Sequence, residues 1–291
     1  MLGVLAGPGA GVAAAASPEA CAVGTNSGNT TISLTIDGRV RTAVLHLPST
    51  LAGKQLPLIV GFHGFGGNGT DFARDTGLSS LGDKDGFAVV YPTSSGPRWQ
   101  IAGSSRDVDF TRALLDQVEA VACIDTARVY AVGVSIGAGM AARVGCELSG
   151  RIAGLVLVSG GYRSLPACNP DRPISLLEIH GTADTTVPYG GQTSNLAGAV
   201  LPYVVGWAAR DRCARSPTHT TIARHTLLYR WSGCAWGTVV EHLRIYGGRH
   251  GLPNADGEEI SSGDTSSIRG ANEIWHFLAS RRLAQPFAAV S

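Results

Sequence analysis

The chain carries almost no excess charge of either sign. Lys+Arg number 23 and Asp+Glu 22, a formal net charge of +1, and charged residues fill only 15% of its 291 positions. With no net field to hold a polyanion, non-specific attachment to nucleic acid or to anionic membrane is disfavoured. Lysine is nearly missing, occurring only at Lys54 and Lys84, a bias that fits GC-rich codon usage and carries no functional meaning. No apolar run reaches the roughly 20 residues that a membrane-spanning helix needs. A Cys-x-x-Cys pair is lacking and no His stands at zinc-finger spacing from a Cys, so a metal site is disfavoured. There is no linker, no repeat and no low-complexity stretch beyond the N-terminus.

What is present is a hydrophobic content of 44%, enough at this length to bury a large core and to exclude an intrinsically disordered chain. Gly 39 and Pro 14 are scattered without period, as expected of many tight turns. One domain over residues 17–291 is the economical reading. The stretch from Leu2 to Ala16 is apolar and small, broken by Pro8, and ends in Ala14-Ala15-Ala16-Ser17, a pattern that signal peptidase accepts. Residues 1–16 are therefore expected to be a signal peptide, with the mature chain starting near Ser17 and secreted. A basic n-region is missing, and a disordered Ala/Gly lead is the alternative. Six cysteines, an even number, agree with export. The local pair is Cys213 with Cys234, whose closure contributes about 3 kcal/mol in the chain-entropy model; buried free thiols are the alternative.

Short apolar runs alternate with helical ones. Thr30 to Ile36 and Arg41 to Leu47 read as two strands about the turn Asp37-Gly38, an antiparallel hairpin at a sheet edge. Leu58 to Val60 and Phe87 to Tyr91 are continuous apolar strands, as in a parallel sheet covered on both faces. From Asp107, which makes an acceptable cap, Phe110, Ala113, Leu114, Val118 and Val121 follow helical spacing. Val129 to Val134, Ile152 to Val158, Ile174 to Ile179, Thr226 to Arg230 and Val239 to Tyr246 are further strands. Gly137 to Glu147, a segment near Asn195 to Arg210, and Ile268 to Arg281 are helices. The succession predicts an α/β fold with a mainly parallel sheet and helices on both faces.

The sharpest motif is Gly133-Val134-Ser135-Ile136-Gly137, between a strand and a helix. In that context the turn lifts a serine above the sheet, and only small residues fit two places before and after it. A serine hydroxyl needs a base and an acid that orients the base. Asp184, in Ile179-His180-Gly181-Thr182-Ala183-Asp184, follows a strand end, where α/β sheets present their reactive groups. His250, in Tyr246-Gly247-Gly248-Arg249-His250-Gly251, follows the last strand in a glycine-rich loop and is the best placed of eight histidines. His180 is read as a residue that supports the site; the others are read as surface or satisfied-core histidines. The early loop Phe62-His63-Gly64-Phe65-Gly66-Gly67-Asn68 and the residue after the serine would supply an oxyanion hole from the backbone N–H groups of Phe65 and Ile136. A phosphate cradle is the rival reading of those glycines, and it fails because no Gly-x-x-x-x-Gly-Lys-Ser/Thr occurs.

Four blocks together resemble the secreted polyhydroxybutyrate depolymerase and feruloyl esterase group, carbohydrate esterase family 1 of the α/β-hydrolase superfamily. They are His63 to Gly67, Arg128 to Ser135, His180 to Tyr189 and Gly247 to Pro253, and the likeness runs from about Cys21 to Leu278. The resemblance implies a triad of Ser135, Asp184 and His250, an oxyanion loop at Phe65, and extracellular hydrolysis of carboxylic esters without metal or organic cofactor. Two departures, Ile136 and Ala138 where such proteins have further glycines and Leu252 where they have an aromatic, bear on substrate preference.

For substrate, Trp99 is expected on an exposed loop after a strand, where its indole would stack on a phenolic acyl group or a sugar, with His63 as a second contact. Packing of Trp99 on its own loop is an equal alternative, and the cluster Arg210, Arg212 and Arg215 reads as a solvated face. The partner is a small-molecule or polymeric ester. Polyester degradation calls for a binding module or an exposed apolar patch, and no added module is evident here, so feruloyl or related aryl esters of plant cell-wall carbohydrate are expected ahead of polyhydroxyalkanoate. An acyltransferase on the same triad, separated by product analysis with an acceptor, and a non-catalytic binding protein, separated by a fluorophosphonate probe, are the rivals from other classes.

Overall fold

The computed structural model describes residues 21, 27–49, 53–191, 199–253 and 268–283. The expected signal peptide over residues 1–16 and the start near Ser17 lie outside them. The first strands, β1 (Gly28–Ile36) and β2 (Arg39–Leu47), pair antiparallel with Ile36 opposite Arg39. Asp37 and Gly38 both take positive φ, 49° and 73°, the two-residue turn that Asp-Gly favours. β3 (Leu56–Phe62) leads through α1 (Gly69–Asp75) and α2 (Leu78–Asp85) to β4 (Ala88–Pro92). Neither short helix was expected from apolar spacing; α1 is started locally by Asn68, whose side chain accepts from the Asp71 N–H at 2.9 Å.

The long helix α3 (Arg106–Val121) precedes β5 (Ile124–Val134), and α4 (Ile136–Glu147) follows it. Its cap differs from expectation. Ser105 caps α3, accepting from the Val108 N–H, whereas Asp107 is buried and pairs with Arg41 at 2.7 Å. Arg41 also donates to the Thr93 carbonyl at 3.0 Å, and Asp107 accepts from the Gln100 N–H at 2.7 Å. The pair therefore fastens the loop after β4 from both ends.

β6 (Gly154–Val158), β7 (Ser175–Gly181), α5 (Val200–Arg210), β8 (Thr218–Ala223), β9 (Thr226–Trp231), β10 (Val240–Ile245) and α6 (Gly270–Leu278) complete the order. The helix expected from Asn195 is described only from Val200, since residues 192–198 lie outside the described range. The ten strands form one sheet in the order β1-β2-β4-β3-β5-β6-β7-β10-β9-β8. Its centre, β4 to β10 in that order, is parallel, and antiparallel pairs flank it. β8, with the sequence Thr-His-Thr-Thr-Ile-Ala, is largely exposed and was not anticipated, because an edge strand need not alternate apolar with polar residues.

The continuous apolar strands divide their side chains between two cores. Leu58, Val60, Ala131, Leu155 and Leu157 meet α3, α4 and α5 on one face. Ile59, Tyr130, Val132, Val156 and Val158 meet α2 and α6 on the other. No helix among the described residues is long and apolar enough to cross a membrane. The cysteines pair as Cys21 with Cys123, Cys146 with Cys168 and Cys213 with Cys234. Peptide mapping without reductant is expected to return these three pairs. Replacing Cys213 and Cys234 together by Ser, which opens a loop of sequence separation 21, should cost about 3 kcal/mol in denaturant unfolding; unchanged stability would contradict the pairing.

Candidate active site

Ser135 stands between β5 and α4 with φ 59° and ψ −123°, a backbone conformation that L-residues adopt only under constraint. The flanking glycines are steric requirements. A Cβ on Gly133 would lie 2.0 Å from the Gly137 carbonyl oxygen, and one on Gly137 would lie 2.1 Å from the Phe62 oxygen at the end of β3. The turn therefore presses α4 onto β3 and holds the serine above the sheet edge. The oxyanion loop is close by: a Cβ on Gly64 would be 3.6 Å from the Ser135 Cβ. Ile136 opens α4, so its N–H has no carbonyl partner within the helix.

Asp184 and His250 come from the loops after β7 and β10, which are adjacent and parallel. Those loops are laced together. The Ala183 N–H donates to the Gly248 carbonyl at 2.9 Å, and the Gly247 N–H to the Thr182 hydroxyl at 2.9 Å. A Cβ on Gly181 would lie 2.1 Å from the Gly248 oxygen, so close approach depends on that glycine. His250 Nδ1 donates to Asp184 Oδ2 at 2.7 Å, while Asp184 Oδ1 accepts from the N–H groups of Thr186 (2.9 Å) and Val187 (2.7 Å). Burial works against ionisation of Asp184, but the contacts with His180 and His250 and the Val187 N–H outweigh it and hold the carboxyl well below its usual range.

Ser135 and the histidine loop are tied through β6, the strand between β5 and β7. The Ser135 N–H donates to the Val158 carbonyl, and the next residue, Ser159, accepts from the Gly251 N–H at 3.1 Å. Ser159 itself has φ 49°. Nothing in the run Leu155 to Gly161 marks it in advance. Among the described residues no hydrogen bond joins Ser135 to His250, a bond that in such sites often tightens only with substrate bound. Both side chains retain access to solvent.

The two expected substrate contacts are placed elsewhere, and both are corrected. Trp99 is 1% exposed; its indole N–H donates to the His63 carbonyl at 2.9 Å and its ring packs edge-on against Phe62. His63 is 2% exposed, accepts at Nε2 from the Ser94 N–H (3.1 Å) and so donates from Nδ1 to the Gly64 carbonyl (2.7 Å). Burial lowers its basicity, in keeping with that neutral ring. The pair braces the oxyanion loop from below. Phe65, by contrast, is 65% exposed, with the Arg98 guanidinium 5.7 Å from its ring centre.

His180, read from the sequence as a supporting residue, belongs to a polar group behind Asp184 whose other members were not anticipated: buried Glu178, His242 and Tyr162, and half-buried Tyr189. Glu178, a carboxylate in the middle of the apolar run Ser175 to Gly181, is the signal that would have exposed it. No cluster of three or more metal-ligating side chains occurs among the described residues.

A parallel sheet with the serine turn, the acid loop and the histidine loop on one edge is the α/β-hydrolase fold. The architecture superposes on an acetyl xylan esterase from Aspergillus awamori with a TM-score of 0.64, at 14% identity, over 86% of this chain and 99% of that one. Residues 41–164 match the family model described as Esterase PHB depolymerase. In sequence the chain is 28% identical to feruloyl esterase B of Piromyces equi over 234 residues, 72% of this chain and 42% of that protein. It is 27% identical to the bifunctional acetylxylan esterase/xylanase XynS20E of Neocallimastix patriciarum over 77% of this chain and 33% of that protein. The chain is thus similar to feruloyl and acetylxylan esterases and, over residues 41–164, to the Esterase PHB depolymerase model, and it spans less than half the length of these two curated relatives.

Trp99→Ala should destabilise the fold by about 3–5 kcal/mol and lower kcat/KM for an aryl ester and an acetyl ester to the same extent. A loss confined to the aryl ester would place the indole against substrate instead.

Proposed function

We infer that the chain is a secreted serine esterase that hydrolyses carboxylic esters through an acyl-serine intermediate, with feruloyl or related aryl esters of plant cell-wall carbohydrate as its substrates. The observation that carries the reading is the 2.7 Å bond from His250 to Asp184 on the same sheet edge as the strained Ser135 turn. In this reading Ser135 Oγ attacks the acyl carbon while His250 Nε2 takes its proton. Asp184 fixes the ring with Nδ1 protonated and steadies the imidazolium that forms. The N–H groups of Ile136 and Phe65 receive the carbonyl oxygen as it becomes negative. The imidazolium then gives its proton to the departing alcohol, and water, activated by the same histidine, releases the acid. Three disulfides support an extracellular setting.

Ser135→Ala should remove hydrolysis of a short p-nitrophenyl ester, with a fall of at least about a thousandfold in kcat, and abolish fluorophosphonate labelling without altering the circular dichroism. His250→Ala should be nearly as inactive, and Asp184→Asn strongly impaired because the ring tautomer is no longer fixed. Substantial activity in Ser135→Ala would end the assignment.

The exposed aromatic in the loop beside Ser135 is Phe65, next to Gly64, and it takes the role first expected of Trp99. A ring contact made only by an aryl acyl group is worth about 0.5–1.5 kcal/mol beyond area burial. Phe65→Ala should therefore lower kcat/KM for methyl ferulate roughly three- to tenfold more than for an acetyl ester. The match of residues 41–164 to the polyester-depolymerase model favours a second reading, polyhydroxyalkanoate hydrolysis. Rapid clearing of polyhydroxybutyrate film with negligible activity on methyl ferulate would put that reading first.

A further inference from the structure

We propose that His180 is a standing imidazolium that positions Asp184 and offsets part of its charge, acting on the reaction only through that carboxylate. The inference rests on the triad reading above. Its basis is that both ring nitrogens face acceptors alone. Nδ1 lies 2.9 Å from Glu178 Oε1, and Nε2 is 2.9 Å from the Val187 carbonyl oxygen and 3.2 Å from Asp184 Oδ2. A neutral imidazole has one N–H and one lone pair, and here the lone pair would point at an oxygen whichever nitrogen carried it. Only the doubly protonated ring satisfies all three contacts.

The proton does not belong on Glu178 Oε1, the oxygen that faces His180, because that oxygen already accepts from a second donor. The Tyr162 hydroxyl donates to Oε1 at 3.0 Å, and His242 Nδ1 stands 2.7 Å from Oε2. His242 Nδ1 faces only acceptors, Oε2 and the Glu178 carbonyl oxygen at 3.3 Å, so it carries the proton of a neutral ring and Nε2 accepts from the Tyr189 hydroxyl at 2.7 Å. Tyr189 also meets the His180 ring edge-on at 5.8 Å, with Arg244 on its far side and Tyr229 stacked on His242. The ionisable groups about His180 are thus Glu178 from its own strand, Asp184 and Tyr189 from the following loop, and, one contact further, Tyr162, His242 and His250. Glu178, His180 and His242 are buried. Burial opposes charge on His180, and the charge of Glu178 and the Asp184 contact outweigh it, raising its basicity; burial opposes charge on Glu178 too, and His180 and His242 outweigh it.

Asp184 Oδ2 is therefore shared between a permanent cation and the base of the triad. A carboxylate with one imidazolium already beside it holds a second less firmly.

Nitrogen-15 spectra of the histidine rings, recorded on the wild type and on Ser135→Ala, test the charge without reference to activity. From about pH 6 to pH 8, around the ordinary imidazole value, the His180 signals should be those of a doubly protonated ring and should not titrate. A neutral tautomer in the folded protein overturns the proposal. His180→Gln should lower kcat with little change in KM, as loss of a residue that positions Asp184 would; an unchanged kcat in a folded variant overturns the proposal as well. If Ser135→Ala keeps its activity the triad reading falls while the spectra still report on His180, and if Ser135→Ala is dead while the ring is neutral this inference alone falls. Should His180→Gln not fold, the wild-type spectra decide.

Discussion

The close approach of β3, β5 and α4 at the serine turn is the constraint on which the remaining structure depends. Two glycines stand where any Cβ would collide with main-chain carbonyls, and between them Ser135 is held at a φ that costs on the order of 1–3 kcal/mol. Such a conformation persists only if the surroundings over-determine it. Here they do so from both sides, since β3 supplies the contact for Gly137 and the Ser135 N–H is bound to the end of β6. Buried cores on both faces hold those strands in place.

The same edge is braced outward from that turn. Arg41 and Asp107 fix the loop after β4, that loop carries Trp99, and Trp99 holds the His63 carbonyl beneath the oxyanion loop. On the other side Ser159 fastens the backbone next to His250. A buried ion pair of this sort is weak evidence for net stability, because desolvation offsets much of the attraction. Its value lies in geometry: it ties the Thr93 carbonyl and the Gln100 N–H, at the two ends of the loop, to one buried pair.

Behind Asp184 the chain buries three histidine or carboxylate side chains in a strand layer that is otherwise apolar. Unpaired, each would be costly. Paired, they hold the loop that carries Asp184 in one arrangement, and they connect it to β10 through His242. Electrostatic preorganisation of this kind needs no reorganisation at the moment of reaction, which is where fixed dipoles and charges are most effective.

Local chemistry made much of this legible from sequence. The Asp37-Gly38 turn, the apolar parallel strands and the glycine spacing about Ser135 are each dictated by neighbours within a few residues. The loop positions of Asp184 and His250 followed from their places after strand ends. Contacts between distant segments were not legible. Asp107 reads locally as a helix cap, and only the sheet brings Arg41 to it across 66 residues. Trp99 reads as an exposed loop aromatic, and only the fold places it under His63. The sequence by itself determined which residues carry reactive groups and the order of strands and helices, because those depend on side-chain type and short-range periodicity. Tertiary structure alone decided which of those groups meet, which aromatic faces the solvent, and which acceptors surround His180, because these depend on burial and on groups contributed by separate strands and loops.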